Sequence, residues 1–257
     1  MRFGPEAMVF DLDGVITFTA RVHAAAWKQL FDEYLKRRSE QLGEAFRPFD
    51  IEHDYLTYVD GKPRYEGVAS FLASRGITMP YGNPSDLPDA ETVCGLGNRK
   101  DALFTQKVQQ NGVEVDGDAV RFVRELRERG VRVGLASSSR NAVPILQRVG
   151  ILDLFERVVD GVVSDRLHLR GKPEPDIFLR CLAELVPGGD PRYSGIVEDA
   201  ISGVEAGQRG GFSLVLGVDR RNTGALARNG ANWSIPDFKH ITAEQVMEFF
   251  ADRARVA

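Results

Sequence analysis

The chain has 257 residues, 43% hydrophobic and 27% charged, an ordinary balance for a globular protein with enough length for one large domain or two small ones. A formal charge of −4 gives no basis for a nucleic-acid surface. Residues 1–6 carry no signal-type apolar segment and no run of 18 apolar residues occurs after them, so no membrane partner and a cytoplasmic location are expected. Cys94 and Cys181 lie far apart and fit no ligand spacing, which reads as two free thiols in a reducing compartment.

In chain order, the first feature is a short apolar run, residues 8–10, ending in Asp11, Leu12, Asp13 and Gly14. Strand residues i and i+2 share a face, so Asp11 and Asp13 would both look out from a strand end. Ionising two close carboxylates is costly without a cation or proton between them, which suggests a hard-metal site or an acid beside a nucleophile. An ordinary strand-end turn is the competing reading.

Residues 19–38 read as a helix, with Val22, Ala26, Leu30, Phe31 and Tyr34 at three- and four-residue spacings and His23 near its start. Residues 39–60 read as polar and irregular. Gly61, Lys62, Pro63 and Arg64 form a turn opening a helix to Gly76; this is an anion-binding helix start or merely a solvated basic turn. Residues 77–90 read as a loop. The next helix is expected from about Gly97 to Gln110, with Arg99 and Lys100 in its first turn, where the helix dipole disfavours cations and a phosphate partner would relieve the misfit.

From residue 113 the pattern alternates. Helices are expected over 119–126, 143–150, 171–182, 200–209, 224–230 and 243–253, and strands over 131–136, 194–197, 212–217 and 232–235, with a short strand and turn over 157–163. Such alternation argues an α/β fold: a doubly wound, Rossmann-like parallel sheet with helices on both faces. Residues 20–112 look helical and interrupt it. The expected domains are therefore an α/β core of 1–19 with 113–257, and an inserted α-helical cap of 20–112. Ligands of doubly wound sheets bind outside the carboxyl ends of the strands. That rule would bring Asp11 and Asp13, Ser137, and Glu198 and Asp199 to one edge, within reach of Lys172 at the start of a helix.

Four carboxylates, hydroxyls and one lysine suit Mg²⁺ and a phosphate ester. Asp11 and Asp199 are the best ligands, with Glu198 in or near the shell. Asp11 could also act as a nucleophile, with Asp13 as general acid and base.

The stretches Asp11-Leu-Asp13-Gly14, Ser137-Ser-Ser139-Arg140-Asn141, Gly171-Lys172-Pro-Glu-Pro and Glu198-Asp199-Ala-Ile-Ser-Gly203 together resemble the haloacid dehalogenase superfamily, and within it the β-phosphoglucomutase-like family. The resemblance implies Mg-dependent phosphoryl transfer through an aspartyl-phosphate. The expected reaction converts β-glucose 1-phosphate to glucose 6-phosphate through the 1,6-bisphosphate; sugar-phosphate hydrolysis is the alternative. It implies Asp11 as nucleophile, Asp13 as acid/base, and Ser137 and Lys172 on the transferring phosphate. Thr19 and His23 match residues near the acid/base. Gly61, Arg64, Lys100, Ser139, Arg140 and Asn141 match substrate contacts, with Lys100 a better match than Arg99. Asp11, the Asp13 carbonyl and Asp199 match metal ligands, with Glu198 adjacent. The partner is a phosphorylated sugar, and a monomer is expected. The chain departs from the family pattern at Phe18, where relatives often carry an acid, at Arg140 and Ala200, and in a longer cap.

Overall fold

The computed structural model describes residues 4–256; residues 1–3, which belong to the N-terminal segment read above, and residue 257 lie outside the described residues. The chain divides into two compact units, Met1–Phe18 with Glu114–Ala257, and Thr19–Val113.

The first unit is built on six strands: β1 (Ala7–Phe10), β2 (Arg132–Ala136), β3 (Arg157–Val159), β4 (Ser194–Glu198), β5 (Leu214–Val218) and β6 (Trp233–Ile235). They form one sheet in the order β3-β2-β1-β4-β5-β6, with every neighbouring pair parallel. This is the doubly wound α/β fold. Phe10 is in register with Leu135 of β2 and Val197 of β4, so Asp11, Ser137 and Glu198 emerge within about one residue of the same level.

In the second unit, α1 (Ala20–Leu42), α2 (Arg64–Ser74) and α3 (Val93–Asn111) pack around an aromatic core. Phe31 and Phe71 lie 4.1 Å apart, and Phe49 meets Phe71 edge-on at 4.9 Å. Three boundaries differ from the sequence reading. Helix α1 continues past Arg38 to Gly43, which takes the left-handed C-cap conformation (φ +67°) and donates to the Ser39 carbonyl. Residues 39–60 are not irregular throughout: Ile51–Val59 form a π-helical turn, capped by the Asp50 side chain and anchored by the buried Asp54 on Arg75 at 2.6 Å. Helix α3 starts at Val93, with Thr92 accepting from the Gly95 N–H at 2.9 Å. Arg99 and Lys100 therefore sit well inside the helix, and the dipole argument for a phosphate there falls.

The remaining helices belong to the first unit: α4 (Gly117–Glu128), α5 (Ala142–Arg148), α6 (Gly161–Leu167), α7 (Asp176–Leu185), α8 (Ile201–Arg209), α9 (Ala225–Arg228) and α10 (Ala243–Val256). The stretch expected as a strand and turn over 157–163 is β3 followed at once by α6, whose N-terminus the Asp160 carboxylate caps. Along β1, Ala7 and Val9 join the cluster built by α7 and α8, whereas Phe10 meets Phe122 of α4 at 6.0 Å. Alternation thus assigns the two faces of β1. Helix α7 can lie this close because β2 carries Gly134, where a Cβ would stand 2.7 Å from the Cys181 sulfur. No helix among the described residues is long and apolar enough to cross a membrane.

Candidate active site

At the end of β1 the Asp11 N–H donates to the Val197 carbonyl at 2.9 Å, prolonging the ladder by one residue. The chain then folds into a tight loop. The N–H groups of Ile16 and Thr17 both donate to the Leu12 carbonyl at 3.0 Å, and Gly14 donates to Thr17 at 2.7 Å. Gly14 adopts φ +88°, and a Cβ there would stand 1.7 Å from Asp199 Oδ2. The glycine is required twice, for its backbone and for the carboxylate lying against it. The Asp13 N–H donates to Asp11 Oδ2 at 2.8 Å, and Ser137 Oγ donates to Asp13 Oδ2 at 3.4 Å.

The face to which Ala7 and Val9 point is also where Lys172 arrives. Its ammonium, 1% exposed, donates to Asp11 Oδ1 at 2.7 Å and to Glu198 Oε1. Glu198 is fully buried, and its second oxygen accepts from the Ala200 N–H at 2.8 Å. Gly203 makes room for it, since a Cβ there would fall 1.9 Å from Glu198 Oε1. Both oxygens of Glu198 are thus engaged by protein groups, and the carboxylate orients Lys172. Nor does Lys172 itself start a helix, because α7 begins only at Asp176. The intervening turn is fixed by Arg170 on Asp176 at 2.8 Å and by Glu174 on Arg209 at 3.0 Å.

Beyond β2, Ser137 is buried and its N–H donates to the Val159 carbonyl at 3.0 Å. Its hydroxyl accepts from the Ser139 N–H at 3.1 Å, and the Ser139 hydroxyl accepts from Asn141 at 3.2 Å. Arg140 is exposed and pairs with Asp165 of α6 at 3.4 Å.

The second unit holds the remaining residues singled out from the sequence. Thr19 is buried at the N-cap of α1 without a side-chain capping bond. His23 stacks on Phe104 with centroids 3.9 Å apart, and its Nδ1 is 2.5 Å from the Lys100 ammonium. An ammonium only donates, so Nδ1 accepts and the imidazole proton is assigned to Nε2. Lys100 is 6% exposed, with its nitrogen 5.1 Å from the rings of both Trp27 and Phe104. Arg99, by contrast, is ion-paired with Glu33 near the surface. Arg64 pairs with Asp101 at 2.7 Å and lies 5.2 Å from the Tyr65 ring, while its buried Nε has no partner among the described residues. Gly61 supplies the left-handed turn (φ +72°) that leads into α2. Asp101 and Asp165 were missed because each acts through a partner distant in sequence, Arg64 and Arg140 respectively.

Residues 5–211 match the family of haloacid dehalogenase-like hydrolases. The chain belongs to this family. A Mycobacterium bovis protein named β-phosphoglucomutase is 44% identical over 239 residues, spanning 91% of this chain and 90% of that one. A Bacillus subtilis β-phosphoglucomutase is 33% identical over 221 residues, spanning 86% and 87%. The crystal structure of a β-phosphoglucomutase from Clostridium difficile matches the fold with a TM-score of 0.73 over 98% of this chain and 100% of that one, at 22% identity. This dehalogenase-family chain is an enzyme of phosphoryl transfer, a mutase or a phosphatase.

The charges at its sheet edge are unbalanced. Burial, the largest cause, pushes the Asp11 carboxyl up to about 8; Lys172 pulls it down, while Glu198 and Asp13 push it further up. The Lys172 ammonium is also raised: burial alone would lower it, but Asp11 and Glu198 together outweigh that. The two shifts look contradictory for one ion pair. They are reconciled by stoichiometry, because the lysine faces two carboxylates whereas each carboxylate shares one lysine. Asp11 and Glu198 thus flank the Lys172 ammonium, with Asp13 beside Asp11. Surplus anionic charge on oxygen donors fits a hard divalent cation. Among the described residues no group of three or more His, Cys, Asp or Glu is arranged to hold a metal. Backbone and water oxygens would have to complete the shell, which is the habit of Mg²⁺.

Proposed function

We propose that this enzyme is a Mg²⁺-dependent β-phosphoglucomutase working through an aspartyl-phosphate on Asp11. The observation that carries the reading is the unequal setting of the two aspartates. Asp11 is buried, with Oδ1 on Lys172 and Oδ2 on the Asp13 N–H. Asp13 is only half-buried and touches a hydroxyl, as suits a group that must exchange protons. Asp11 attacks phosphorus while Asp13 protonates the leaving sugar oxygen. Asp13 then takes the proton from the accepting hydroxyl as the phosphoryl group returns from Asp11. Lys172 and the Ser137 hydroxyl hold the equatorial phosphate oxygens, and Glu198 keeps Lys172 charged and in place. Asp11, the Asp13 carbonyl and Asp199 would hold Mg²⁺, which when bound neutralises charge on the transferring group.

The extent of identity to the Mycobacterium bovis and Bacillus subtilis mutases supports a phosphorylated hexose as substrate. By the family resemblance, Arg64, Gly61, Lys100, Ser139, Arg140 and Asn141 serve substrate binding, with Arg64, Arg140 and Asn141 on its second phosphate. Thr19 and His23 assist the acid/base. The hydrolase family match keeps one second reading, a sugar-phosphate phosphatase in which water accepts the phosphoryl group.

One assay separates them. With Mg²⁺, β-glucose 1-phosphate and a trace of glucose 1,6-bisphosphate, the expected product is glucose 6-phosphate with little free phosphate. Stoichiometric phosphate without isomer would replace the mutase by the phosphatase. Arg64→Ala should impair isomerisation at least about tenfold while sparing hydrolysis of an aryl phosphate, as loss of a charge-assisted contact predicts.

A further inference from the structure

Arg220 lies just after β5 in a turn that the proposed mechanism does not use. The turn is firmly based: the Asp219 N–H donates to the Ile235 carbonyl at 2.8 Å, and the Asp219 carboxylate accepts from Gly224 at 2.7 Å. From it the Arg220 guanidinium reaches the loop that carries Asp13. Nε donates to the Gly14 carbonyl at 2.9 Å and Nη2 to the Val15 carbonyl at 3.4 Å. Nη2 also donates to Asp116 Oδ2 at 2.7 Å, and the guanidinium carbon stands 4.7 Å from the Phe18 ring centroid. Asp116 is itself committed. Its other oxygen caps α4, accepting from Asp118 and Ala119, and its N–H donates to the Ile16 carbonyl at 2.9 Å.

These contacts surround the two points where the chain passes between its units, after Phe18 and before Glu114. The Phe18 N–H donates to the Glu114 carbonyl at 2.9 Å, and Thr17 bridges Val115. One planar cation therefore ties together the peptides directly after Asp13, the outgoing segment at Phe18 and the returning segment at Asp116. A lysine could not match all of these, since the arrangement uses the fork and the flat face of the guanidinium. It also gives Phe18 a purpose, as the surface on which that face rests.

We propose that Arg220 is a positioning residue for proton transfer: it fixes the Gly14 and Val15 peptides that orient Asp13. The proposal rests on the reading of Asp13 as general acid. The test compares single-turnover release of leaving group from phenyl phosphate, whose leaving oxygen needs a proton, with release from 2,4-dinitrophenyl phosphate, whose leaving oxygen does not. Arg220→Ala is expected to slow the phenyl ester about 100-fold while leaving the dinitrophenyl ester within about threefold, the signature of a displaced general acid. Asp13→Asn should give the same split, and Arg220→Lys an intermediate one. Should Arg220→Ala fail to fold by circular dichroism, the Arg220→Lys ratio decides. Equal losses on the two esters, or no loss on either, would overturn the proposal. Wild-type protein that releases neither leaving group would overturn the phosphotransfer reading itself, and this proposal with it; that outcome is distinct, because an error about Arg220 alone leaves wild-type turnover intact.

Discussion

The two units bury cations in opposite ways. At the sheet edge, Lys172 is held by two carboxylates, and two more stand close by at Asp13 and Asp199. In the second unit, Lys100 lies against a neutral imidazole nitrogen and two aromatic rings, and Arg64 pairs with Asp101 while its Nε is unpartnered among the described residues. The first arrangement leaves surplus negative charge and suits a metal ion. The second holds its cations on a ring nitrogen, aromatic faces and a single carboxylate. The scaffolding differs too. At the sheet edge each charge is set by backbone, through strand ends and the glycine cradles at Gly14 and Gly203. In the second unit the charges are set by side chains on α1, α2 and α3 meeting across long stretches of sequence.

The largest expected effect removes the anion at the centre of the first arrangement. Asp11→Asn should lower turnover about 10⁴-fold or more, as for other nucleophiles whose partners act as a unit. Its effect on folding should run the other way. The folded Asp11 carboxyl titrates near 8 against an ordinary 3.8, so in metal-free protein its contribution to stability is fully present below pH 3.8 and is lost as pH rises through 8. Thermal melts from pH 4 to 8 should therefore show wild type losing ground to Asp11→Asn. Mg²⁺ at a hundredfold excess over its Kd should restore about 2.7 kcal/mol to wild type and nothing to the variant. A Mg²⁺-induced rise in Tm that survives Asp11→Asn would place the metal elsewhere.

Lys172→Met sharpens the contrast next. It takes the ammonium away from Asp11 and Glu198, both buried, and breaking a buried pair from one side costs about 3–5 kcal/mol. Denaturant unfolding should register that loss at pH 7. A cost below about 1 kcal/mol, the range of exposed pairs, would mean the triad is solvated after all.

This contrast also explains how much the sequence disclosed. The sheet edge was legible because a buried parallel strand is a short apolar run, and the residue at its carboxyl end must face the edge: Asp11, Ser137 and Glu198 each stand directly after such a run. The second unit was less legible. The polar end of α1 lacks apolar periodicity, and two glycines in the first turns of α3 disguised its start, which moved Arg99 and Lys100 to the wrong part of the helix. Pairings such as His23 with Lys100, Arg64 with Asp101, or Arg220 with Gly14 leave no trace in local spacing. The π-helical turn over Ile51–Val59 depends on Asp54 meeting Arg75, which local pattern cannot announce.

The smallest expected effect is the same substitution made in the other unit. Lys100→Met keeps the aliphatic stem against Trp27 and Phe104 and removes only the ammonium. Lost cation–π attraction, up to about 2 kcal/mol for a desolvated cation, is offset by relief from burying that charge. The net cost should stay within about 1 kcal/mol, a Tm shift of roughly 2–4 °C for a chain of this size. The imidazole should register the change more clearly than stability does. With its donor gone, His23 Nδ1 is released from the acceptor role that holds the proton on Nε2, and its ¹⁵N resonance should move toward that of a mixed tautomer. A loss of about 3 kcal/mol or more, the range of a broken buried pair, would make Lys100 a structural cation like Lys172. The two units would then bury charge by one rule.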